Sequence, residues 1–134
     1  MIAQASFEIT RWDEEVPFDA PEHGPSRARL HVDKAFSGQV HGTSKAELIT
    51  CAPSETQAGY IASERLDVTI DGRSGTFVIQ HGGIVDGQET TQFANVVPGS
   101  GTEDFAGIRG TAKYEHDEKG ARFSIDYTLA GEPD

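Results

Sequence analysis

Apolar residues along this chain recur at every second position, in short runs separated by glycine, proline and acidic clusters. No window of a dozen residues places them at i, i+3, i+4 and i+7, so the pattern predicts strands and no long amphipathic helix. The first strand is read over Ala5–Trp12, with Phe7 and Ile9 on one face. Residues 13–25 carry three prolines and a run of acids, and read as a loop long enough to be a lid. Ala28, Leu30, Val32 and Phe36 share one face of a second strand, and Lys34 falls in the same register. Gly38 and Gly42 flank the turn into a third strand, Ser44–Cys51, and Pro53–Thr56 forms the next turn.

The fourth strand, Gln57–Ile70, aligns Tyr60, Leu66, Val68 and Ile70 on an apolar face that also contains Glu64. Ser63, Arg65, Asp67 and Thr69 occupy the other face. In the fifth strand Phe77, Ile79 and His81 lie together, opposite Thr76, Val78 and Gln80. The sixth, Glu89–Val97, is read with Thr91, Phe93, Asn95 and Val97 inward. Pro98–Gly101 breaks it, and residues 105–110 form an irregular or short strand segment. A last hairpin, 111–115 and 121–129, turns around 117–120 and directs Phe123, Ile125, Tyr127 and Leu129 to the core. Seven or eight antiparallel strands result. Alternation alone fits a sandwich and a barrel equally.

Residues 71–110 hold more than half of the chain's 15 glycines. Asp71-Gly72 and Asp86-Gly87 are tight-turn dipeptides, because a two-residue hairpin of the favoured hand needs φ > 0. Within this stretch, Gly72-Arg73-Ser74-Gly75-Thr76-Phe77, Gln80-His81-Gly82-Gly83, Val97-Pro98-Gly99-Ser100-Gly101-Thr102 and Gly107-Ile108-Arg109-Gly110 resemble an uncharacterised bacterial family known only as domain of unknown function 3224. The likeness extends to Ser6–Trp12, to Lys34–Gly38 and to Ile125-Asp126-Tyr127. The resemblance implies a small closed antiparallel barrel, similar to allene oxide cyclase and the lipocalins, with a cavity. It brings no established substrate. The chain does not match the catalytic positions of allene oxide cyclase residue by residue, so that activity does not carry over.

At 134 residues the chain is one domain, 1–134, large enough for a core without disulfides. A formal charge of −11 argues against nucleic acid, whose phosphates call for basic stripes, and against anionic membrane surfaces. Its single cysteine, Cys51, has no internal disulfide partner, and the N-terminal residues lack the basic and apolar regions of a signal peptide. No apolar run approaches the ~18 residues that span a bilayer. A cytoplasmic protein is the expectation.

Glu64 is the foremost chemical candidate. On an apolar inner face, loss of hydration raises a carboxyl pKa and prepares a general acid or base. An ion pair with inward Lys34 is the competing use. His81, at a strand end among glycines, is the second catalytic candidate, able to polarise a carbonyl or shuttle a proton. Lys34, Tyr60, Phe77, Phe93, Asn95 and Tyr127 are the ligand-binding candidates. His31-x-Asp33 supplies two potential metal ligands on one strand face and no third, and the other histidines are scattered, so neither metal nor cofactor is expected. Cys51 has no histidine placed beside it by sequence, and Gly99-Ser100-Gly101 lacks the lysine and helix of a phosphate loop.

These readings lead to a barrel that binds a small, mostly apolar molecule. The alternative is a cofactor-free isomerase or cyclase in which Glu64 moves a proton. Ile49, Ile61, Val78, Val96, Cys51 and Ala94 are read as an apolar outer set, which predicts a homo-oligomer, most simply a dimer.

Overall fold

A computed structural model of the chain describes residues 1–15 and 19–131. Eight strands run in chain order: β1 (Ile2–Glu14), β2 (Arg27–Gly38), β3 (Val40–Cys51), β4 (Gln57–Ile70), β5 (Arg73–Asp86), β6 (Glu89–Val96), β7 (Arg109–Asp117) and β8 (Gly120–Thr128). Each pairs antiparallel with the next, and β1 pairs with β8, closing an up-and-down barrel. Closure pairs the edges that an open sheet would leave, least along β6 and β7, which share the single register pair of Asn95 with Thr111. Among the described residues, no helix is long and apolar enough to cross a membrane.

The turns follow from the sequence. Asp71 and Gly72 both adopt positive φ, 51° and 79°, which is the backbone a two-residue hairpin of this twist requires. It fixes the fourteen register pairs between β4 and β5. Strand β5 is longer than the apolar run predicts, because Gly82 and Gly83 continue it instead of ending it. Residues 105–110 are irregular, as read: Glu103–Phe105 is a short 3₁₀ turn, and of this segment Arg109 and Gly110 belong to β7. The 3₁₀ turn closes one end of the barrel. Phe105 is fully buried there with its ring 5.2 Å from that of Phe77, and a side chain at Gly75 would strike the carbonyl oxygen of Thr102.

One half of the interior is therefore solid. Phe36, Leu66, Val68, Ile70, Phe77, Ile79, Val96, Ile108, Phe123, Ile125 and Tyr127 fill it, each almost without exposure. The other half is not filled. The division falls at Ala46, Ala62 and Ala94, three buried alanines whose small side chains leave space for longer polar ones.

Two register findings shape that open half. In β1 a bulge between Ile9 and Arg11 shifts the pairing with β2, so Phe7 points inward before it and Trp12, opposite Val32, points inward after it. In β6 the inward residues are Ala94 and Val96, because Val96 pairs with buried Ile79 and Ala94 with buried His81. The reading of Phe93 and Asn95 as interior is thereby overturned, since the face of a strand changes with every residue. Phe93 lies outside, half exposed, its ring against Gly82 at 2.7 Å from where a β-carbon would stand. The same shift removes Ala94 and Val96 from the proposed outer apolar set. Ile49, Ile61 and Phe93 do form an outer row, through the pairings Ile49 with Ile61, Ile61 with Gly82, and Gly82 with Phe93.

Candidate functional site

The open half is a cavity of about 550 Å³. Its walls carry Ile9, Trp12, Leu30, Val32, Leu48, Tyr60 and Val85, all placed by the inward parity of their strands. Glu14 and His116 stand in the same lining, as do Thr50, Thr90 and Gln92. Residues 16–18, within the segment read as a lid, lie outside the described residues. Lys34, His81, Tyr114 and Phe7 complete the lining where the cavity meets the solid core.

Beneath that floor sits Glu64, on β4 between Ala46 of β3 and Ile79 of β5, with no exposed surface. Four side chains from four other strands converge on its carboxylate. Lys34 Nζ donates to Oε1 at 3.0 Å, His81 Nε2 lies 2.9 Å from the same oxygen, and the Tyr114 hydroxyl donates to it at 3.0 Å. Ser44 Oγ donates to Oε2 at 2.6 Å. Burial alone would raise the carboxyl pKa. The His81 hydrogen bond, the Lys34 charge and the Ser44 hydrogen bond outweigh it and bring the value from 4.5 down to about 2. Glu64 is thus an ionised anchor with its oxygens occupied, the opposite of the poised carboxylic acid that burial by itself predicts.

This anchor orients the groups above it. An ionised carboxylate only accepts, so His81 Nε2 carries a proton, and in the neutral ring Nδ1 is left to accept from the Tyr60 hydroxyl, 3.0 Å away. The Tyr114 ring stacks on His81 with centroids 4.4 Å apart. Lys34 Nζ lies 4.5 Å from the centroid of the Tyr114 ring and 4.9 Å from that of Phe7, in cation–π contact with both. Desolvation and then the Glu64 charge raise both phenol pKa values, that of Tyr114 well above the ordinary 10. Both hydroxyls therefore stay protonated at neutral pH, and Tyr114 donates to Glu64.

Of the residues singled out by sequence, Lys34, Tyr60 and His81 line the cavity; Glu64 holds Lys34 and His81 from behind, and Tyr60 is bonded to His81. Phe77 and Tyr127 are buried in the solid half, and Phe93 and Asn95 face outward. Tyr114, Ser44 and Trp12 are site residues that the sequence reading misses. The alternation of Ala112, Tyr114 and His116 in β7 contains the signal for Tyr114, and the parity of Ser44 with Ala46 and Leu48 contains that for Ser44. The bulge hides Trp12, because β1 changes face just before it.

Residues 3–129 match the model of a family described as protein of unknown function, DUF3224, and the chain belongs to that family. Among solved structures it is similar to the crystal structure of a DUF3224 protein of unknown function from Shewanella oneidensis MR-1. That match has a TM-score of 0.89 at 25% identity and covers 100% of this chain and 98% of the other. No curated protein matches the sequence.

Proposed function

We propose that this protein is a binding barrel that holds one small, mostly apolar molecule in the open half of its interior. The observation that carries this reading is the cavity itself. At about 550 Å³ it falls within the size range of small-molecule sites, and it joins a mostly aliphatic and aromatic wall to a few polar groups fixed at one end. Protein interiors are close-packed, so a half-empty barrel beside a solid half is a feature the fold maintains against the contacts it forgoes.

An uncharged polarity-sensitive dye such as Nile red tests the reading. Saturable, blue-shifted fluorescence with one dye per chain is expected for the native protein, and its loss in Leu48→Trp, which places an indole across the cavity. Fluorescence that stays at the level of free dye, or that Leu48→Trp leaves intact, would count against cavity binding. A cofactor-free isomerase or cyclase moving a proton through Glu64 has less support, because that carboxylate is withdrawn from the cavity lining and already accepts from four donors.

A further inference from the structure

The binding reading leaves the chemistry of the ligand's polar end open, and the floor of the cavity constrains it. An ammonium has three N–H donors. Lys34 places one on Glu64, and its other close neighbours are the faces of Phe7 and Tyr114, which offer no lone pair. Its side chain retains 9% exposure, and that exposure is to the cavity. The remaining polar groups at this end already have partners. His81 Nε2 faces Glu64, the Tyr60 hydroxyl and His81 Nδ1 are hydrogen-bonded to each other, and Tyr114 donates to Glu64. Lys34 is therefore the donor with capacity left for a guest.

The charge of that guest is also constrained. Glu64 already neutralises Lys34 in a buried setting, so a second carboxylate on the same ammonium would sit close to the first in a medium that screens poorly. Glu14 in the cavity lining and the formal charge of −11 on the chain add to the repulsion of anions. A cationic head would meet Lys34 itself. An uncharged acceptor fits both limits.

On the binding reading above, we infer that the cavity takes an apolar molecule ending in an uncharged carbonyl oxygen, which accepts a hydrogen bond from Lys34 at the floor. The preference is readable against molecules of equal length. Octan-2-one, octanoate and octylammonium are compared at pH 8 by displacement of bound Nile red, and ¹³C=O-labelled octan-2-one is followed by infrared spectroscopy. The ketone is expected to displace the dye at about one tenth of the concentration needed for either ion, the scale of one hydrogen bond to a charged donor. Its carbonyl band is expected to move to lower wavenumber in the native protein and to return to the position seen in hydrocarbon solvent in Lys34→Met. Should Lys34→Met fail to fold because Glu64 loses its counter-ion, the double variant Lys34→Met/Glu64→Gln supplies the comparison. Tighter binding of octanoate, or a carbonyl band that is the same with and without Lys34, would overturn the inference while leaving apolar binding intact. Absence of any dye binding would remove both.

Discussion

The ammonium of Lys34 and the carboxylate of Glu64 meet at 3.0 Å inside the barrel, although they stand on β2 and β4, strands that are not neighbours. Strand β3 lies between them and contributes Ser44, which pairs with Lys34 in the sheet and donates to Glu64. The pair forms because three adjacent strands point short and long side chains into the same layer. Glu64 has no water to fall back on, and Lys34 meets solvent only through the cavity.

Removing one partner therefore costs far more than removing both. Glu64→Ala leaves a buried ammonium without its counter-ion and is expected to destabilise by ~3–5 kcal/mol, the usual loss for breaking a buried ion pair. The double variant Lys34→Met/Glu64→Gln is expected to be closer to the native protein than Glu64→Ala. Urea unfolding followed by tryptophan fluorescence measures both. Equal stability of Glu64→Ala and the native chain would mean that the pair is solvated.

Acid reveals the same interaction. A carboxylate whose folded pKa is depressed stabilises the fold above its unfolded value, here near 4.5, and that stabilisation is lost as pH falls toward the folded value of about 2. The contribution is on the order of 3 kcal/mol for this much separation. Thermal midpoints measured from pH 6 to pH 2 are expected to drop through this window. The drop should be smaller in Glu64→Gln, which has no proton to gain there.

Tyr114 is expected to resist ionisation, since burial and the Glu64 carboxylate both oppose a phenolate. In an alkaline ultraviolet titration Tyr60 and Tyr114 should both stay largely protonated at pH 10, so Tyr114→Phe should leave the absorbance at that pH unchanged. Loss of absorbance at that pH in the variant would place Tyr114 in water.

The β6 register separates neighbouring residues sharply. Val96→Asp would bury a charge with no partner and is expected to prevent folding, whereas Asn95→Asp on the outer face should fall within about 0.5 kcal/mol of native. Circular dichroism melts of the two variants decide it. A stable Val96→Asp beside an unfolded Asn95→Asp would restore the opposite register.

Much of this architecture is legible in the residues. The inward parity of β4, β5 and β8 follows from unbroken alternation, and it places Glu64 and His81 on inner faces and Lys34 in register with Leu30, Val32 and Phe36. The family motifs, not the alternation, favour closure over a sandwich. What alternation does not fix is phase where both faces carry similar residues. In β6, Phe93 outside and Ala94 inside invert the usual order of size, because the ring finds Gly82 on the outer surface. Nor does parity divide the interior along its length: Phe77 and Tyr127 point inward as read, yet lie in the half that the 3₁₀ turn and Phe105 help to fill.

The central claim is that the open half receives a guest, and native mass spectrometry tests it most directly. The protein is incubated with a lipid and metabolite extract, freed of unbound material and sprayed from volatile buffer alongside Leu48→Trp. The account predicts one additional mass per native chain, released on activation as a small apolar molecule and missing from the variant. The bare mass of the chain after every extract, from protein shown to be folded, would contradict it.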